Sequence, residues 1–235
     1  MKATFNRKSL LEAFGMAAGV VPARSPKPIL QNVKMAVDAD GCTLIASDLE
    51  VGVRRRVLGS IVIDDGDVIL PTARFSSILK TSGDDEVSIE TGDDGILVRA
   101  GRSKFKLSGE DPTLFPDVPD FDAASYAVLV DSDLRSLIRK TSYACDLNTT
   151  RYALGGALVE RGDDSPTFVA TDGRRLAKVS VACEHVGDGS GWTQQAIVPL
   201  KALKLIANAT PGDGTQAHLG VVSGLWFLPE LFGLS

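Results

Sequence analysis

Two aspartates stand out as candidates for chemistry. Asp48 lies in "TLIASDLEVGVRRRV" (Thr43–Val57) and Asp172 in "TFVATDGRRLAKVSV" (Thr167–Val181). Paired carboxylates can hold a divalent cation or pass a proton, so a metal-dependent hydrolase is one reading. Against it, each Asp occupies the same place in a strand–turn–strand pattern, and Asp side chains commonly accept from turn amides. A turn role explains both at once. The two histidines, His185 and His218, have no nucleophile or metal partner nearby in the sequence. The three cysteines, Cys42, Cys145 and Cys183, are isolated and form no CxxC pair, which speaks against a zinc site or a disulfide framework. No catalytic constellation, metal site or cofactor is expected.

The two aspartate stretches are copies, 124 residues apart. Both carry Thr, two large apolar residues, Ala, Ser or Thr, then Asp. The same offset sets Leu10 against Leu134 and Leu30 against Leu154. With four more residues, "VILPTARFSSILK" falls on "AIVPLKALKLI" and Pro71 on Pro199. Each copy reads helix, two or more strands, strand–Pro–helix, then more strands. Apolar spacing predicts helices over about 7–18 and 73–80 in the first copy, and 133–143 and 200–208 in the second. Asp131, Ser132 or Asp133 can cap the third helix. The Pro/Asp-rich segment "DPTLFPDVPDFDAAS" reads as the seam, giving domains 1–124 and 125–235. The end, "TQAHLGVVSGLWFLPELFGLS", is apolar without strand alternation and reads as an incomplete or altered end of the second copy.

Composition bounds the function. The chain has 235 residues, 44% hydrophobic and 23% charged, ordinary for a soluble globular protein. No apolar run is long enough to span a bilayer, and the start "MKATFNRKSLLEAF" lacks the apolar core of a signal peptide, so a cytoplasmic protein is expected. The net charge of −5 alone argues against a simple nucleic-acid binder. The distribution says otherwise. The expected helices hold Arg7, Lys8, Arg74, Lys80, Arg135, Arg139, Lys140, Lys201 and Lys204 against Glu12 and Asp133, while acids such as Asp64, Asp65, Asp84 and Asp85 crowd the turns. Helices sharing one face of a sheet would present cations to a polyanion, in backbone contacts that carry no sequence information.

The motifs "RSPKPILQNV", "ASDLEVGV", "LPTARF", "GRSKFKLSG", "FPDVP", "RYALGGALVE", "VATDGRRLA" and "IVPLKAL" occur in one order over residues 1 to about 208. In this the sequence resembles the bacterial DNA polymerase III beta subunit, the beta sliding clamp. The resemblance implies an α+β DNA-clamp fold of repeated domains, each with two helices and antiparallel sheets, the helices on the DNA-facing side. It implies a replication processivity factor that encircles duplex DNA without sequence preference, has no catalytic residues or cofactor, and is nucleoid-associated. The implied partners are double-stranded DNA, the polymerase III catalytic subunit and clamp loader through short peptide motifs, and a second copy in a ring; no membrane is implied.

Residue by residue, the resemblance assigns DNA contacts to Arg24, Lys27, Arg74, Asn148, Arg151, Tyr152 and Lys201. It assigns a partner-peptide pocket to Leu154, Thr171, Gly173, Arg174, Arg175 and Leu176, and a protomer contact to Arg74, Ile78, Phe105 and Leu107. Ala73 and Leu200 stand where many members of the family carry a basic residue. The family's third domain has no counterpart in this sequence. It supplies the other halves of the pocket and of the ring contact, so the expectations include a truncated fragment without function and a two-domain protomer closing as a trimer.

Overall fold

The computed structural model describes all residues except 93–94, 121–124, 147–150, 162–164, 188–194, 211, 222–224 and 230–235, and leaves out the side chains of residues 152, 161, 221 and 225–229. The chain divides into two compact units, Met1–Asp120 and Phe121–Ser235. The first runs β1 (Lys2–Asn6), α1 (Arg7–Ala18), β2 (Asn32–Asp38), β3 (Gly41–Ser47), β4 (Gly52–Val57), β5 (Ile61–Asp64), β6 (Gly66–Pro71), α2 (Thr72–Thr81), β7 (Glu86–Gly92), β8 (Gly95–Ala100) and β9 (Ser103–Leu107). The second runs β10 (Tyr126–Val130), α3 (Asp131–Ser142), β11 (Gly156–Arg161), β12 (Pro166–Thr171), β13 (Leu176–Ser180), β14 (Glu184–Val186), β15 (Ala196–Pro199), α4 (Leu200–Ala209), β16 (Gln216–Val221) and β17 (Leu225–Pro229). Short 3-10 turns, Pro28–Gln31 and Tyr152–Leu154, precede β2 and β11.

Each unit builds two antiparallel sheets in one strand order. The first has β5-β1-β7-β8-β9 and β4-β3-β2-β6; the second has β14-β10-β16-β17 and β13-β12-β11-β15. The five-residue opening strands β1 and β10 are additions to the expected elements. They matter, because each is the inner strand that aims the following helix.

The helices form for local reasons. Asn6 accepts from the amides of Lys8 and Ser9 and caps α1. Pro71 and Pro199 sit directly before α2 and α4, where a missing N–H costs nothing. Leu10, Ala13, Phe14 and Ala17 form the buried stripe of α1, and Leu134, Leu137, Ile138 and Thr141 that of α3. Phe14 meets Phe75 of α2 edge-on, ring centroids 4.8 Å apart. Burying a Phe of this kind contributes about 2–3 kcal/mol. In the second unit the stripe of α3 packs on Ala157, Val159, Phe168 and Ala170 of the sheet and on Leu203 of α4.

Two segments differ from their sequence reading. The Pro/Asp-rich seam is no loose linker at its start: Phe115 and Val118 are 7% and 6% exposed and pack with Ile45 and Ile69 on the sheet face turned away from the helices. The apolar end also departs from expectation. Leu225–Pro229 forms β17, antiparallel to β16 with Gly220 opposite Trp226 and Ala217 opposite Pro229. It takes the place beside β16 that β8 takes beside β7. Its continuous apolar run shows no period of two, so alternation could not mark it as a strand.

Candidate functional site

Two surfaces gather the candidate residues of the second unit. The first is a groove of about 610 Å³ between α3 and α4. Arg135, Arg139 and Lys204 supply its charge, and Ser132, Ser136, Ser142 and Asn208 supply neutral donors. The 3.6-residue repeat puts Ser132, Arg135, Ser136 and Arg139 on one face of α3, opposite the apolar stripe. Guanidinium, ammonium and hydroxyl donors in one groove suit phosphate oxygens.

In the first unit Lys8, Arg74 and Lys80 are exposed on their helices. Arg7 is not part of that layer. Its Nε donates to the Asp84 carbonyl at 2.7 Å and its Nη1 to that of Leu79 at 3.1 Å, so it ties α1 to the loop after α2. The expectation that every helix cation faces outward is corrected there. Charge alone could not separate a solvated Arg from one aimed at backbone carbonyls.

The second surface is the tip of the β12–β13 hairpin. Asp172 Oδ1 accepts from the amides of Arg174 and Arg175 at 3.0 and 2.9 Å, and Oδ2 takes the Arg175 Nε at 2.8 Å. The amides of Arg175 and Arg174, with the Arg175 guanidinium, hold the Asp172 carboxyl down to about 2. Thr171 Oγ1 donates to the Arg175 carbonyl at 2.7 Å and accepts from Gly173 N at 3.1 Å. Gly173 takes φ 84°, which only glycine adopts without cost. Asp48 repeats the arrangement, accepting from Glu50 and Val51 at 3.1 and 2.7 Å. Both aspartates therefore build turns, as their symmetric placement suggested.

The turn has a consequence for recognition. It fixes Arg174, Arg175 and Leu176 outward; Leu176 is 66% exposed. The Arg175 guanidinium lies 5.5 Å from the ring centre of Tyr143, at the end of α3. Such a cation–π contact is worth about 0.5–1 kcal/mol at an exposed site. Tyr143 was missed from the sequence, because nothing local announces that the end of α3 meets a hairpin some thirty residues on.

The remaining candidates are more dispersed. Arg24 and Lys27 are exposed in the loop after α1, where the Lys27 amide donates to Ser25 Oγ at 3.1 Å. Arg151 is exposed just before the 3-10 turn that holds Tyr152 and Leu154, and the Leu154 carbonyl accepts from Asp146 at 2.8 Å. Lys201 is half-buried on α4, and Asn148 lies outside the described residues. Ile78 and Leu107 are 6% and 4% exposed within the first unit, while Phe105 is half-buried on the edge strand β9 and Arg74 is exposed. Burial pushes the Cys42 thiol up to about 12, with Asp38 adding to it, so this thiol is a packing group. Among the described residues no group of three or more His, Cys, Asp or Glu stands together to hold a metal, and no helix is long and apolar enough to cross a membrane.

Residues 1–119 match the DNA polymerase III beta subunit, N-terminal domain, and residues 129–228 match its central domain. The chain belongs to the DNA polymerase III beta subunit family. The beta sliding clamp of Pseudomonas aeruginosa is 34% identical over 226 residues, covering 95% of this chain and 60% of that protein. The beta sliding clamp of Vibrio cholerae is 31% identical over 205 residues, covering 86% and 55%. A crystal structure of the Pseudomonas aeruginosa sliding clamp bound to griselimycin aligns with a TM-score of 0.84 at 30% identity, over 95% of this chain and 60% of that one. The Bacillus subtilis clamp aligns with a TM-score of 0.87 at 22% identity, which speaks for the fold alone. The chain thus spans about 60% of the length of the curated beta subunits it matches.

Proposed function

We propose that this chain serves as a DNA sliding clamp, a replication processivity factor that holds duplex DNA without reading its sequence and tethers DNA polymerase III and other replication and repair proteins. The observation that carries the reading is the tandem match of the N-terminal and central domains of the beta subunit along one chain. The basic α3–α4 groove supports it, because its donors fit phosphate oxygens and would bind backbone alone. In this reading Arg24, Lys27, Arg74, Asn148, Arg151, Tyr152 and Lys201 add DNA contacts. Leu154, Thr171, Gly173, Arg174, Arg175 and Leu176 receive a short apolar peptide from the polymerase or the clamp loader. Arg74 and Ile78 of α2, with Phe105 and Leu107 of the edge strand β9, form a contact with another copy. The chain performs no chemistry of its own and works in the cytoplasm on the nucleoid.

The test is duplex binding by the whole chain, followed by fluorescence anisotropy across a salt series. Replacing Arg135, Arg139 and Lys204 together with alanine removes three phosphate partners. The slope of log affinity against log salt should then flatten by about 2–3. Two unrelated duplex sequences should bind alike. An unchanged slope, or a clear sequence preference, refutes the reading.

A further inference from the structure

One edge of the first unit's five-stranded sheet carries an apolar group that the core does not use. β5 is the outermost strand of β5-β1-β7-β8-β9 and pairs with β1 alone. Val62 stands opposite Ala3, which is fully buried, so the alternation of the strand turns Ile61 and Ile63 to the other face. They are 62% and 57% exposed, and Leu58 in the turn before them is 53% exposed. Single exposed apolar residues are ordinary on a protein surface, but three within six positions make a patch. The fold does not ask for it. In the second unit β14 pairs with β10 as β5 pairs with β1. Thr4 faces Ile61, and Val128, 124 residues on, faces Glu184. The same place on the same edge therefore accepts an exposed carboxylate in one unit and holds an exposed isoleucine in the other.

Acids rim the patch. Asp64 closes β5 and Asp65 follows it, both exposed. The turn between β2 and β3, with exposed Asp38 and Asp40, runs beside the start of β5: a Cβ on Gly41 would lie 3.3 Å from Ser60 Oγ. Two nearby cations are engaged elsewhere. Lys2, which faces Asp64 across the strands, pairs with Glu90 at 3.8 Å, and the Arg56 guanidinium donates to the Asp40 carbonyl.

We infer that β5 docks an extended basic–apolar segment of another protein, with its apolar side chains on Ile61 and Ile63 and its Lys or Arg against Asp64 and Asp65. Ile61 and Ile63 lie about 7 Å apart along one face, which is the step between alternate side chains of an extended chain. A segment laid along an edge strand can also pair its backbone with that strand. A second copy of this chain fits poorly. It would bring the same acids against these, and three side chains fall far short of the roughly 800 Å² per partner that a stable dimer buries. The patch lies at the opposite edge of the sheet from β9, so docking there leaves the proposed contact between copies free. It goes beyond the clamp reading and does not rest on it.

The probe is the synthetic peptide acetyl-Lys-Ile-Lys-Ile-Lys-amide, added to the whole isotope-labelled chain and followed by amide chemical shifts. Saturable shifts on β5, on the turn before it and on β1 are expected. The same peptide with Glu in place of each Lys should not bind. Ile63→Ser should weaken binding about tenfold, the loss expected for one apolar anchor. Its side chain is exposed, so the variant is expected to keep its fold. Asp64→Lys together with Asp65→Lys should exchange the preference, losing the lysine peptide and gaining the glutamate one. No saturable shift at millimolar peptide, shifts confined to the helices or to the second unit, equal binding of both peptides, or binding indifferent to Ile63→Ser overturns the inference. Sedimentation of the free chain is the second check: a dimer that Ile63→Ser abolishes would assign the patch to a second copy and overturn it as well.

Discussion

At equivalent positions, 124 residues apart, the two units open their first helix with opposite charges: Arg7 in α1 and Asp131 in α3. Both do one mechanical job. Arg7 donates from its guanidinium to the carbonyls of Asp84 and Leu79, and its amide donates to Asp85 at 2.7 Å. Asp131 accepts from the amides of Gly212, Asp213 and Gly214, the last two at 3.1 and 3.0 Å, and its own amide donates to Thr215 at 2.9 Å. Each thereby ties the start of one helix to the loop after the other. The loops differ in which backbone group they turn inward. Gly212 and Gly214 take φ of 80° and 95°, and this left-handed backbone aims amides at one point, which calls for an anion. What the repeat preserves is the joint; the side-chain chemistry that closes it is free to change sign.

Breaking the joint gives the largest expected effect. Asp131 is 1% exposed. Burial pushes its carboxyl up, but the amides of Gly214, Gly212, Ser132 and Asp213 outweigh that and hold it below the usual carboxylate range. Asp131→Ala strands the loop amides of Gly212, Asp213 and Gly214 and should cost about 3–5 kcal/mol in urea unfolding of the second unit. Arg7→Ala, at a half-buried position, should cost the first unit only about 1–2 kcal/mol. Equal losses would mean that the two joints are not the same device.

Next in size is a swap across the connector-covered face. Gly52→Leu puts into the first unit the side chain that the second carries at Leu176, and it must displace Val118. A loss of about 1–3 kcal/mol is expected, against about 0.5 kcal/mol or less for Leu176→Ser. The third comparison concerns the hairpin tips. Leu49 holds φ 75° where its counterpart is Gly173 at φ 84°. A branched residue there carries strain of about 1–2 kcal/mol. Leu49→Gly should raise stability by about 1 kcal/mol and Gly173→Ala should lower it by a similar amount, both read as shifts of the thermal midpoint.

The smallest effect is in acid. A depressed carboxyl stabilises the fold above its unfolded value near 3.9 and loses that contribution as pH falls through its folded value. For Asp172 the folded value is about 2, so the hairpin amides of Arg174 and Arg175 should stay protected from exchange at pH 4 and open between pH 4 and 2. Asp172→Ala should remove that pH step while leaving the core amides of β12 protected.

Much of the fold was legible. The offset of 124 residues, the prolines before α2 and α4, and the helix stripes follow from local pattern, and the helices lie within two residues of their expected spans. The hairpin aspartates were legible as turn residues because an Asx turn closes within three residues. The hairpin of the candidate site came with them. Tyr143, by contrast, depends on where α3 ends in space. Phe115 and Val118 sit among prolines and aspartates with no period, so nothing marked them as packing residues. The end of the chain misled because Leu225–Pro229 is an unbroken apolar run with no alternation to mark it as a strand.

By itself the sequence determined the repeat, the helices, the turns and the excess of cations on the helices, since each is written within a few residues along the chain. Only the tertiary structure decided that Phe115 and Val118 cover the outer face of the first unit's four-stranded sheet. That cover turns on Gly52 and on a connector packed some sixty residues away, and contacts at such separation leave no periodic trace. It also decided that Arg7 and Asp131 are the same joint. Whether a charge is spent on solvent or on backbone is set by the groups a loop turns toward it.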